Sequence, residues 1–123
     1  MTTKRTTLHV LAASAILACN LLPASAHAQA WPSQPIKIIV PFPAGGASDQ
    51  IGRIMAKAIG DELKVPVVVE NRSGANGSVG ATVVAKAAPD GYTLMASPAS
   101  FLTTNKHIFK EMPYDAEADF API

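Results

Sequence analysis

Ile36-Lys37-Ile38-Ile39-Val40, followed at once by Pro41-Phe42-Pro43-Ala44-Gly45-Gly46-Ala47-Ser48-Asp49, is the stretch that decides the fold. The first five residues are a short β-branched run, the composition of a strand buried on both faces. Pro and Gly then break it into a loop. Ser48 reads as a helix N-cap. Behind it Ile51, Ile54, Met55, Ala58 and Ile59 fall at i, i+3, i+4, i+7 and i+8, one apolar face of an α-helix. Arg53, Lys57, Asp61 and Glu62 mostly occupy the other side.

The same unit recurs downstream. Val67-Val68-Val69 reads as a second buried strand running into Glu70-Asn71, and Asn71-Arg72-Ser73-Gly74-Ala75-Asn76-Gly77 is a second Gly-rich loop. Ser78 can cap the next helix, with Val79, Val83, Val84 and Ala87 as its face. Pro89-Asp90-Gly91 is a turn in which Pro sets one φ and Gly supplies a positive one. Tyr92-Thr93-Leu94-Met95-Ala96 is a third strand. From Ser97 to Ile123 the pattern is less regular. Pro98, Pro113 and Pro122 forbid a long helix, and Phe101-Leu102 and Ile108-Phe109 suggest short pieces against the sheet.

The order is β-α-β-α-β, an α/β fold with a parallel sheet and flanking helices, joined by right-handed crossovers. The first strand is expected in the middle, between the second and third. Ligands of such sheets sit beyond the carboxyl ends of the strands. Both Gly-rich loops and the segment after Ala96 lie there.

Toward the N-terminus, Trp31-Pro32-Ser33-Gln34-Pro35 is an extended lead-in. Before it, Lys4 and Arg5 precede a 15-residue apolar run from Leu8 to Leu22, then Pro23 and small residues through Ala30. That is the layout of a secretory signal peptide, and the run is shorter than the about 20 residues of a membrane span. We expect the leader to be residues 1–28, cleaved after Ala26-His27-Ala28, with Ala26 and Ala30 as neighbouring options, and export to the periplasm. Ile16-Leu17-Ala18-Cys19 loosely resembles a lipobox and offers lipidation at Cys19 as the alternative. Cys19 is the only cysteine, so a chain beginning at Gln29 has no thiol for a disulfide, metal or nucleophile.

The 123 residues carry a formal net charge of +1. Without Lys4 and Arg5, 8 basic and 9 acidic residues remain, scattered with no basic stripe. No nucleic-acid partner is expected. Anion binding must come from local geometry. Gly45-Gly46 lets a ligand approach the backbone closely. The helix that follows begins with N–H groups that have no intrahelical partner, and its dipole favours an anion. The second loop repeats the design. A hydrogen bond to a charged group contributes about 1.5–3 kcal/mol net, so four donors supply roughly 6–12 kcal/mol before binding costs. Micromolar affinity needs about 8 kcal/mol. The same Gly-rich turns also occur as plain tight connections, and spacing does not separate the two readings.

Other motifs fail. No Gly-Lys-Ser/Thr follows the first loop, and Gly74, Gly77 and Gly80 have the spacing G-x-x-G-x-x-G rather than that of the dinucleotide fingerprint. There is no G-x-S-x-G, and no metal cluster or catalytic set is read. His107 is the lone histidine after the leader and reads as a surface residue. Asp49 stands in the first helical turn, as a partner of the dipole, an acceptor for a ligand's donor, or a general base. Asn71-Arg72-Ser73 fits a glycosylation sequon but is discounted, because the leader is of bacterial type.

At these loops a resemblance appears. The stretch from Trp31-Pro32 through Asp49, Val67 to Gly77, Ala88-Pro89-Asp90-Gly91-Tyr92-Thr93-Leu94, Pro113-Tyr114-Asp115 and Asp119-Phe120-Ala121-Pro122 closely resemble the Bug family, substrate-binding proteins of tripartite tricarboxylate transporters. The resemblance implies a periplasmic solute-binding protein of two-lobed, Venus-flytrap (type II) architecture. Such proteins close on small carboxylates (di- or tricarboxylates, aromatic acids or amino acids) and pass them to membrane permease subunits. It implies no cofactor and no enzymatic activity. It implies ligand contacts from Phe42, Ala44, Gly45, Gly46, Ser48 and Asp49 in the first loop and from Gly74, Ala75, Asn76, Gly77 and Ser78 in the second. The segment from Ser97 to Ser100 adds contacts, Ser97 among them. The family commonly has Asn-Pro after this segment; here it is Asn105-Lys106.

Family members are larger. The resemblance leads us to expect that residues 29–123 are the N-terminal part of the first lobe, with the second lobe absent from this chain. Such a truncated piece is expected to be marginally stable and to bind weakly or not at all. A small α/β enzyme using Asp49, a sensor whose ligand-bound lobe docks a kinase ectodomain, and a non-functional truncated product are the competing readings. Which carboxylate is bound is not legible, since backbone amides read the carboxylate and not what it is attached to.

Overall fold

The structure is a computed structural model that describes residues 30–123. The leader and Cys19 lie outside the described residues. The elements are β1 (Ile36–Val40), α1 (Ala47–Leu63), β2 (Val67–Asn71), a 3-10 turn (Ala75–Gly77), α2 (Ser78–Ala85), β3 (Thr93–Met95) and α3 (Ala99–Ile108). No helix among the described residues is long and apolar enough to cross a membrane.

The sheet is parallel in the order β2-β1-β3, as the β-α-β-α-β pattern requires. Ile36 aligns with Val67 and Val40 with Asn71, while Ile38 aligns with Leu94. The main-chain ladder continues past the strand ends, where Arg72 N donates to Val40 O and Ala96 N to Ile39 O. β1 is buried on both faces except at Lys37.

Parity along the strands sorts the core into two. Ile38 and Val40 join Ala56, Ala96, Val67, Val69 and Leu94 under α1. On the other face Ala81 of α2 meets Tyr114, with Met95, Met112 and Phe120 packed around them. Tyr114 and Phe120 meet edge-to-face with centroids 5.6 Å apart. The lead-in is fastened to the turn before β3: Trp31 Nε1 donates to Asp90 O at 3.1 Å, and Ser33 N donates to the Tyr92 hydroxyl at 2.8 Å.

Several expectations are corrected. α1 is capped by Gly46, with no side-chain cap, so Ser48 is inside the first turn. Gly77, and not Ser78, is the N-cap of α2. The face of α1 turned to the sheet carries Asp49, Gly52 and Ala56, while Ile51 is 57% and Ile54 69% exposed. The cause is closeness: a Cβ on Gly52 would lie 2.7 Å from Val40 Cγ2. Only the smallest side chains fit that line, and the large apolar ones are displaced to its flank. The same holds for α2, where Gly80 and Ala81 are buried but Val79 and Val83 are exposed. A Cβ on Gly80 would meet Pro41 Cβ at 2.8 Å and Arg72 O at 2.9 Å. β2 is an edge strand covered on one face only, so Val68 is 54% exposed beside the Lys37–Glu70 ion pair. Finally, a continuous ten-residue helix spans Ala99–Ile108, since Pro98 at its N-cap and Pro113 beyond its end leave room for nearly three turns.

Candidate functional site

Both Gly-rich loops leave the carboxyl ends of adjacent strands, because Val40 and Asn71 are register partners. They also touch: the first turn of α2 lies on Pro41, at the distance Gly80 permits.

In the first loop, Ala44, Gly45 and Gly46 are exposed, and Phe42 and Ser48 are half-buried. Gly45 has φ 83°. Gly46 O accepts from Gln50 N at 3.0 Å, which starts the helical ladder. The N–H groups of Ala47, Ser48 and Asp49 therefore have no acceptor within the helix, and no side chain among the described residues caps them. They form a short shelf of donors at the positive end of a 17-residue helix.

Asp49 itself faces inward. It is 3% exposed. One carboxylate oxygen accepts from Gly45 N at 2.8 Å and from Arg53 Nε at 3.0 Å. The other accepts from Asn71 Nδ2 at 3.0 Å. The Arg53 bond, then those from Gly45 and Asn71, hold this carboxyl down at about 2, against an ordinary value near 3.8. A carboxylate so engaged is a structural anion and a feeble base.

The second loop is built from left-handed backbone. Gly74, Ala75, Asn76 and Gly77 have φ 138°, 44°, 50° and 85°. Such a run is costly for Ala and Asn, and it persists because its surroundings determine it. Asn76 Nδ2 donates to Asn105 Oδ1 at 2.7 Å, and Asn105 Nδ2 returns a bond to Asn76 O at 3.1 Å. Asn105 is fully buried in α3, with longer contacts to Ser78 Oγ at 3.5 Å and Tyr114 Oη at 3.4 Å. Several donors of this loop are consumed at home: Gly77 N bonds to Gly74 O at 2.9 Å, Ser78 N to Ala75 O, and Val79 N reaches Gly74 O at 3.4 Å. Gly77 and Ser78 are buried, while Gly74, Ala75 and Asn76 stay exposed.

Ser97, just past β3 at the same end of the sheet, is half-buried, and its Oγ is enclosed with no hydrogen-bond partner among the described residues. A hollow of about 190 Å³ is lined by Ala75, Ser78, Val79, Thr82, Phe109, Glu111 and Pro113. It borders the second loop but includes nothing of the first, so the two loops present an open shelf and not one enclosed pocket. Among the described residues no three His, Cys, Asp or Glu gather as a metal site. Asn71, Arg53 and Asn105 organise the loops and were not singled out as site residues from sequence. Asn71 stands in a motif, but nothing local says that its side chain turns toward a loop 22 to 29 positions away; Arg53 was read only as part of the polar face of its helix.

Comparisons place this arrangement among known proteins. Residues 51–123 match the family described as "Tripartite tricarboxylate transporter family receptor". Protein BugT of Bordetella pertussis is 42% identical over 101 residues, covering 81% of this chain and 31% of that protein. Among solved structures, MatC from Rhodopseudomonas palustris with bound malate is 34% identical with a TM-score of 0.70, covering 75% of this chain and 31% of that one. An R. palustris protein with adipate is 33% identical with a TM-score of 0.67, covering 71% and 29%. The chain thus spans about a third of the length of the relatives it matches. With its parallel α/β sheet, its two Gly-rich turns at one end and this similarity running through them, the chain belongs to the tripartite tricarboxylate transporter receptor family of periplasmic solute-binding proteins.

Proposed function

We propose that residues 29–123 contribute the N-terminal part of the first lobe of a two-lobed periplasmic receptor, exported by a leader over residues 1–28. The receptor captures small carboxylates without catalysing a reaction and delivers them to membrane permease subunits. The observation that carries this reading is the shelf of three main-chain donors at Ala47, Ser48 and Asp49, beside a loop whose only acidic side chain is turned away from it. Three charge-assisted bonds supply about 5–9 kcal/mol before binding costs. Exposed Gly45 and Gly46 let a carboxylate reach the backbone, Ala44 and Phe42 flank it, and Ser48 offers a hydroxyl. Gly74, Ala75 and Asn76 border the same end of the sheet, with Gly77 and Ser78 supporting them. Ser97 lies at the same end of the sheet, with its hydroxyl enclosed and without a partner among the described residues. Dicarboxylates are the favoured class, because two structural relatives hold malate and adipate. A general-base role for Asp49 is disfavoured by its low pKa and its three internal bonds.

The test is a two-dimensional amide NMR titration of the 123-residue chain with malate, adipate and, as the uncharged control, 1,6-hexanediol. Saturable shifts concentrated at Ala47, Ser48 and Asp49 are expected from the two acids alone, in the millimolar range because the shelf is open. Shifts spread evenly over the chain, or equal with the diol, would reject the reading.

A further inference from the structure

We infer that Asn71 is a positioning residue of the carboxylate-binding loop: its one side-chain amide closes the loop at both ends and aims the main-chain donors outward. The inference rests on the receptor reading above and assigns the residue that pre-organises it.

Asn71 is the last residue of β2 and the register partner of Val40, the last of β1. Its side chain therefore leaves the sheet where the first loop begins. Nδ2 carries two hydrogens, and both are placed. One goes to Phe42 O, at the start of the loop, at 3.1 Å, and the other to Asp49 Oδ1, at its end, at 3.0 Å. Oδ1 lies 3.4 Å from Arg53 Nη2. Asp49 then draws in the middle of the loop through Gly45 N. The chain from Phe42 to Asp49 is thus tied at its first residue, its centre and its last, although Gly45-Gly46 would otherwise leave it loose. Binding by fixed donors gains affinity when the ordering cost is met during folding and not during binding.

Charge makes the same demand. Asp49 is an anion directly behind a shelf that receives another anion, and like charges at such close range repel. The Arg53 guanidinium at 3.0 Å offsets it, and the Asn71 amide holds the carboxylate in the orientation where Arg53 meets it. An Asp at position 71 would have nearly the same shape but would set a second acceptor against Asp49 Oδ1 and Phe42 O.

The test compares the wild-type 123-residue chain with N71A and the isosteric N71D, by NMR, with malate as the probe. Three readouts are followed: the pH midpoint of the Asp49 carboxyl carbon, hydrogen exchange at Gly45 N, and the malate dissociation constant from the shifts of Ala47 and Ser48. Exchange at Ile38 and Ile39 in the central strand reports the fold itself. In N71A the Asp49 midpoint is expected to rise from about 2, Gly45 exchange to quicken at least tenfold, and malate binding to weaken at least fivefold, with Ile38 and Ile39 unchanged. If N71A loses protection at Ile38 and Ile39, N71D decides the matter: its Asp49 midpoint should rise further, because two acceptors now face each other. An unmoved Asp49 midpoint and unmoved Gly45 exchange in the folded variant overturn the inference. Wild-type indifference to malate instead rejects the reading that the amides of Ala47, Ser48 and Asp49 hold a carboxylate by themselves, while the Asp49 and Gly45 readouts still judge whether Asn71 holds the loop.

Discussion

Asp49 and Asn105 show how much of this site is decided by single side chains. Because Asp49 is held at about 2, below its ordinary value near 3.8, the native state favours its ionised form. The stability this lends is complete above the ordinary value and is lost as pH falls through about 2. Glu70, held low by Lys37 and then Arg72, and Asp115, held low by the amides of Glu117 and Ala118, act in the same direction. Urea midpoints should therefore fall between pH 5 and about pH 2.5, and D49N should show a smaller fall than wild type. An equal fall in both would show that Asp49 is not linked to folding. Asn105 fills a buried position with every polar atom engaged. N105A removes the buried amide that meets Asn76 Nδ2 and O, Ser78 Oγ and Tyr114 Oη, and should cost about 1–3 kcal/mol in urea unfolding. A cost below 0.5 kcal/mol, about that of an ordinary surface change, would mean that water replaces the pair without penalty.

At the scale of the element, helix-to-sheet distance governs everything. Asp49, Gly52, Ala56, Ile59, Gly60 and Leu63 follow the 3.6-residue period along α1 as well as the larger apolar residues do, and with Ser48 they are the ones at least half-buried. A reading weighted by side-chain size selects the neighbouring stripe. Two substitutions separate the faces. I54E alters an exposed position and should change stability by no more than about 0.5 kcal/mol, whereas A56E places a charge in the cluster with Ile38 and Val40 and should abolish cooperative melting. G80A belongs to the same scale. Its methyl would press on Pro41 and the Arg72 carbonyl, main chain that cannot swing aside, at a cost of about 1–3 kcal/mol in chemical denaturation. A neutral G80A would mean that α2 sits further from the first loop than described.

Across the molecule, apolar surface is left bare on both sides of the sheet. Ile51 and Ile54 are exposed on α1, Val68 on the open face of β2, and Val79 and Val83 on α2. Soluble monomers rarely leave such stripes uncovered. The chain should associate with itself as concentration rises, and sedimentation velocity from about 10 µM to about 1 mM checks this, since weak apolar contacts act in that range. A single monomeric boundary throughout would show that the stripes are too small or too dispersed to act. The shelf stands open for the same reason: among the described residues, one sheet and three α-helices supply a floor for a ligand but no roof.

Strand order, parallel pairing, the central place of β1 and the two Gly-rich turns at one end were all legible from residues 36–96. They rest on local properties: β-branched runs, helical periods and turn residues, together with the handedness of crossovers. The family likeness was legible as well, since its motifs are contiguous. Which face of each helix is buried was not, because that depends on how closely helix and sheet approach. Nor was the inward turn of Asp49, or the pairing of Asn71 with Phe42 and Asn105 with Asn76. The Asn71 and Asn105 bonds join groups 22 to 29 positions apart, and hydrogen bonding across such separations leaves no periodicity or composition to read. Only the packed structure brings donor and acceptor within 3 Å and so decides which amides remain for a ligand.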